Sequence, residues 1–221
     1  MKNRMVIPDS EKISAYTHGG AVPFMIVGTV ILLNISSGHL AAQLVSLIYG
    51  ISGIFLFSAS FYYHTKRPIE NDESFWRKLD HVAIFFLIAG TYTPVCFLYL
   101  DGNMKWGMLI AQWSLVLFGT IFKLFFVDAP KYIATVIYLT MGWLVIIPVT
   151  TLAHTMPMLS QIFLVAGGLF YTIGAIIYAL EKPNPVPDSF GFHEIFHLFV
   201  NAGATMHLMM VVYGMKLYLH Y

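Results

Sequence analysis

The segment His193-Glu194-Ile195-Phe196-His197 carries two imidazoles four residues apart. On a helix that spacing puts both rings on one face, where they can reach a single ion. Ser60-Phe61-Tyr62-Tyr63-His64 repeats the spacing and stacks a hydroxyl one turn deeper than an imidazole. Two histidines from one helix and one from another make a three-His zinc site with the fourth position open for water, the ligand count of catalytic rather than structural zinc. Zinc held in this way lowers the pKa of its water toward about 7 and supplies hydroxide near neutral pH. The expected ligands are His64, His193 and His197, the expected cofactor is Zn2+, and Asp80 and Ser60 are the expected catalytic groups, hydrogen-bonding the zinc water or orienting a ligand.

The elements that position these residues must be transmembrane helices. Of the 221 residues, 58% are hydrophobic and only 10% are charged, with mean hydropathy +0.73. A soluble protein carries about 25% charged residues, so this chain cannot present a wetted surface. The net charge of +1 gives no reason to expect a nucleic-acid partner. Cys96 is the single cysteine, which excludes an intramolecular disulfide and a multi-cysteine metal site, and it reads as a small core residue. Residues 1–18, with Asp9 and Glu11 among them, precede the first apolar run, and no small-x-small cleavage site follows it. That run is therefore expected to stay as a helix and not to act as a removable signal.

Apolar stretches of about 20 residues lie near Ala21–Ile35, Ala41–Tyr63, Leu79–Leu100, Trp106–Val127, Tyr132–Ala153, Leu159–Leu180 and Ile195–Leu219. The expected fold is all-α: a seven-transmembrane-helix bundle forming one domain over residues 1–221, with 1–18 as an N-terminal cytoplasmic segment. Ser36-Ser37-Gly38, Asp101-Gly102-Asn103 and Asp128-Ala129-Pro130 punctuate the spans. Of the 12 basic residues, only Lys105 and Lys216 fall away from the N-terminal side. The positive-inside rule then puts the N-terminus in the cytoplasm and the C-terminus outside a cell (plasma or inner) membrane, a split that requires an odd number of spans. Tyr16, Trp76, Trp106 and Tyr132 at span ends fit interfacial aromatic belts. Pro94 and Pro148 sit inside spans, where they are read as shaping the helix. Ile69–Lys78 has Phe75 and Trp76 among charges and reads as a membrane-surface stretch or a solvated loop.

Depth sorts the histidines. His39, His154 and His220 fall at outer ends, whereas His18, His64, His81, His193 and His197 fall with Asp80 at the cytoplasmic ends of spans one, two, three and seven. Ionisable residues at membrane depth are costly, and each is a candidate for function. His207, in mid-helix, reads as an interhelical hydrogen-bonder.

Taken together, these residues resemble the hemolysin III proteins, the bacterial branch of the progestin and adiponectin receptor (PAQR) family, which shares motifs with alkaline ceramidases. The Ser-x-x-x-His motif matches Ser60 and His64, the aspartate opening the third helix matches Asp80, and the His-x-x-x-His opening the seventh matches His193 and His197. The run Asp80-His81-Val82-Ala83-Ile84-Phe85-Phe86-Leu87-Ile88-Ala89-Gly90-Thr91-Tyr92-Thr93-Pro94 resembles the hemolysin III form of that third helix. One departure is present: where the family's first motif has Glu, Asn and His, this chain has Glu11, Ser14 and His18. The resemblance implies zinc on His64, His193 and His197, with Asp80 and Ser60 on the zinc water and with His18, His81 and His207 outside the ligand set.

The leading expectation is a zinc-dependent membrane hydrolase of a lipid amide or ester bond, or a lipid sensor on the same scaffold, with membrane lipids as partners. One alternative is an intramembrane metalloprotease using Glu194 as base. Another is a pore-forming, hemolytic protein, although no span carries the polar run or ring of like charge that conduction needs.

Overall fold

The computed structural model describes residues 11–66, 75–187 and 189–220. Residues 67–74, which hold most of the surface stretch expected over Ile69–Lys78, lie outside that range, as do Lys2, Arg4 and Asp9. Phe75, Trp76, Arg77 and Lys78 open a helix instead. The chain runs through α1 (Lys12–Ile35), α2 (Leu40–Lys66), α3 (Phe75–Tyr99), α4 (Gly102–Phe125), α5 (Lys131–Trp143), a 3-10 turn (Leu144–Ile146), α6 (Val149–Thr155), α7 (Met158–Leu180) and α8 (Phe192–His220).

Six of these helices are long and apolar enough to cross a membrane unaided, and α5 with α6 makes a seventh span if the bent pair is counted as one. Large apolar side chains such as Val27 and Val30 on α1, Leu117 and Phe118 on α4, and Ile162 and Leu169 on α7 are exposed, as a lipid-facing surface requires. The helices pack in a ring in which α1 lies between α2 and α8, α8 meets α7, and α5 touches both α7 and α3. α4 packs on the outside of α3. That leaves α3 the most enclosed helix, with Phe85, Ala89 and Cys96 fully buried. Gly90 sets its approach to α2, because a Cβ there would overlap Ser52 Oγ; small residues at such crossings let two backbones come close.

Two elements depart from a plain apolar span. The fifth, expected near Tyr132–Ala153 with Pro148 shaping it, is broken: α5 ends at Trp143 and α6 starts at Val149, with a 55° bend across the break. Pro148 has no N–H to donate and its ring collides with the carbonyl one turn back. Neighbouring helices take over carbonyls just before the break. Tyr92 donates its hydroxyl to Gly142 O at 2.6 Å, and Gln112 donates Nε2–H to Met141 O at 3.0 Å. Backbone at membrane depth tolerates a break where such partners exist.

The other is at the N-terminus, where α1 begins at Lys12, so Ser14, Thr17 and His18 of the expected N-terminal segment are helical. Ser14, Ala15 and His18 are buried there against α8 and α2. These polar residues are packed because their partners lie on α8 and α2.

Candidate metal centre

The first turn of α8 is fixed by a capping box. Glu194, three residues into the helix, accepts the Gly191 N–H through Oε2 at 2.8 Å, which satisfies a backbone donor that the helix itself leaves open. Its other oxygen, Oε1, accepts the Ser14 hydroxyl at 2.8 Å. The same carboxylate therefore starts α8 and pins it to α1. From that anchored turn His193 and His197 project on one face, toward His64 in the last turn of α2.

One nitrogen from each of His64, His193 and His197 lies within 4.8 Å of the other two, so the three are placed to hold one metal ion. Nε2 of His64 is 3.3 Å from Nε2 of His193. His64 Nδ1 lies 2.6 Å from Glu11 Oε2, and a carboxylate there draws the proton to Nδ1 and leaves the Nε2 lone pair facing the cluster. His197 repeats the device with a backbone partner. Its Nδ1 is 3.3 Å from Ser14 O, which can only accept, so that nitrogen is the donor and Nε2 remains available. His64 and His197 are 1% and 2% exposed, whereas His193 is half-buried. The chemistry of the donor set fits a borderline cation such as zinc: three imidazoles, two of them oriented by a second hydrogen bond.

The other histidines do not join this group. His18 stacks flat on His197, with ring centres 3.7 Å apart and planes 10° from parallel, and meets the edge of Phe57 on its own flank. It walls the site from behind. His81 gives its Nδ1–H to Arg77 O at 2.7 Å and lies 3.8 Å from Asp80 Oδ2. His207 lies where an interhelical hydrogen-bonder is expected, its Nε2 donating to Leu164 O of α7 at 3.2 Å.

Asp80 and Ser60 do not belong to the close metal group, but both face the cavity that His193 and His197 also line. This cavity has a volume of about 780 Å³. It runs from the histidine end between α3, α5, α7 and α8 to Met156 and Gln161 near the other end of the bundle, past an apolar wall that includes Ile84, Leu87, Val95 and Leu164. Sequence reasoning missed the two residues that orient the ligands. Glu11 carried a signal, being part of the first motif, but the Ser14 carbonyl is a backbone group and leaves none. Serine in the place of the family's amide keeps a polar role here, as the donor to Glu194.

A model of the family described as haemolysin-III related matches residues 8–208. The chain is 36% identical to Hemolysin-3 of Bacillus cereus over 205 residues, which span 92% of this chain and 90% of that protein. It is 35% identical to the Hemolysin-3 homolog of Bacillus subtilis (strain 168) over 209 residues, 93% of this chain and 95% of that one. It is also 28% identical to the human monocyte to macrophage differentiation factor over 202 residues, 88% of this chain and 79% of that protein.

Proposed function

The chain belongs to the haemolysin-III-related family and is a multi-pass protein of the cell membrane, and from that premise we propose that it is a zinc-dependent hydrolase of lipid amide or ester bonds. The observation that carries this reading is the convergence of His64, His193 and His197 on one point, at the wall of a long apolar cavity. Bound by the three rings, zinc supplies Lewis acidity toward a carbonyl and hydroxide near neutral pH.

The remaining work falls to the chain's own residues. The apolar wall between α3 and α7 takes an acyl chain and keeps bulk water away. Asp80, facing the same space, accepts the proton of the attacking water and returns it to the departing amine or alcohol. Ser60, one turn below His64, donates its hydroxyl to the substrate carbonyl oxygen. Glu11 and the Ser14 carbonyl hold two rings in the tautomer that binding requires.

Lipid sensing is the second reading, because a cavity that binds an acyl chain beside a metal serves recognition as well as turnover. The protease reading is disfavoured by Glu194, whose two oxygens are occupied by Ser14 and the Gly191 N–H. Detergent-solubilised, zinc-loaded protein is assayed on N-acyl amide and ester lipids. Hydrolysis that Asp80→Asn abolishes while zinc is retained supports the hydrolase. Lipid binding with no turnover of any substrate moves the protein to sensing.

A further inference from the structure

His18, on α1, is 3% exposed and lies flat against the ring of His197, with centres 3.7 Å apart and planes 10° from parallel. Two neutral aromatic rings avoid this arrangement because their electron-rich faces repel, and they prefer offset or edge-on contacts with centres about 4.5–7 Å apart. The other ring pairs around the site follow that preference. His64 meets His197 at 4.9 Å and 72°, and His193 meets it at 4.7 Å and 47°. His18 itself meets Phe57 edge-on, at 5.2 Å and 75°. Among these pairs the contact of His18 with His197 alone is a close sandwich.

Two hydrogen bonds frame the stack. His197 Nδ1 lies 3.3 Å from Ser14 O, and Asn201 donates Nδ2–H to Thr17 O at 3.2 Å, so α8 is tied to α1 on both sides of the paired rings. Gly19 lets α1 close on α2, since a Cβ there would come within 2.8 Å of the Phe61 ring. Both nitrogens of His18 are buried without a hydrogen bond among the described residues, although the His197 backbone acts on the ring. What His18 presents to the site is therefore its face.

We infer that His18 is a positioning residue for the metal centre: its π face meets the positive charge that a bound cation induces on the His197 ring and holds that ring in place. A cation on an imidazole draws electron density out of it, and the sandwich then gains the character of a cation–π contact in a desolvated site. The arrangement that two neutral rings avoid becomes the favoured one. His18 supplies no ligand atom and touches no substrate in this role. The role rests on the metal reading of His64, His193 and His197 but not on hydrolysis, so it is read by metal affinity and not by turnover.

Zinc affinity of the purified full-length protein is measured by chelator competition in detergent for wild type, His18→Leu and His18→Phe. Leucine fills the space without a π face, and His18→Leu is expected to weaken zinc binding by about 3- to 30-fold, the scale of one cation–π contact. His18→Phe keeps the face and is expected to stay near the wild-type affinity. Leucine that binds zinc as tightly as the wild type overturns the proposal. Phenylalanine as weak as leucine also overturns it, because the imidazole nitrogens and not the face would then be in use. X-ray absorption at the zinc edge of the wild type needs no variant to fold. Three imidazoles are expected there, and a fourth makes His18 a ligand and overturns the positioning role. A wild type that takes up no zinc removes the metal reading itself and His18 with it, whereas equal affinity in all three proteins removes His18 alone.

Discussion

Glu11 and the carbonyl of Ser14 decide which nitrogen of His64 and of His197 is left for a metal. Orienting partners of this kind typically change metal affinity 10- to 100-fold without supplying a ligand. Glu11→Gln is therefore predicted to weaken zinc binding by about 10- to 100-fold, measured by competition with a chelator, and an unchanged affinity would remove Glu11 from the account. Glu194 is predicted to behave differently. Glu194→Ala should lower stability by about 1–3 kcal/mol, because it strands the Ser14 hydroxyl and the Gly191 N–H, while zinc content stays at the wild-type level. Thermal unfolding in detergent with a metal assay on the same sample reads both, and a loss of zinc with no loss of stability would contradict the capping role. The His-x-x-x-His pattern was readable at this scale because helical spacing alone puts both rings on one face. Lys123 was not readable as a buried group, since a cation at the end of an apolar run looks like any interfacial lysine until the neighbouring helices are in place.

At the scale of elements, most helices follow from hydropathy, and the departures have long-range causes. The helix over residues 12–18 is held by contacts to α8, the Ser14–Glu194 bond joining residues 180 positions apart, so no local pattern announces it. The bend at Pro148 is announced locally, but its tolerance depends on Tyr92 and Gln112, which take the carbonyls of Gly142 and Met141. Tyr92→Phe is predicted to cost about 1 kcal/mol, the net value of one hydrogen bond, checked by unfolding titration. The close crossing of α2 and α3 makes a sharper test. Gly90→Ala should destabilise by about 1–3 kcal/mol through overpacking. Adding Ser52→Ala should not restore stability, because the new methyl still meets the Ser52 Cβ at 2.6 Å, whereas Ser52→Gly should. Rescue by alanine would show that the crossing is looser than described.

For the whole molecule, among the described residues, Lys12, Lys66, Arg77, Lys78, Lys123 and Lys182 lie at the end of the bundle that holds the histidines, and on the positive-inside rule we propose that this end faces the cytoplasm. Cysteines introduced at Lys182 and Asn103, which are exposed at opposite ends, should then react with an impermeant thiol reagent from the inner and the outer side respectively. Cys96, fully buried, stays silent in the same cells. Labelling with the opposite sidedness would invert the bundle and put the metal site outside. The central claim is that the three histidines hold one catalytic zinc, and the most direct test is metal content by plasma mass spectrometry of the purified protein, wild type beside His64→Ala, His193→Ala and His197→Ala. About one zinc per chain is expected in the wild type, and its loss in each variant. Metal-free wild-type protein, or full zinc retained in all three variants, would contradict it.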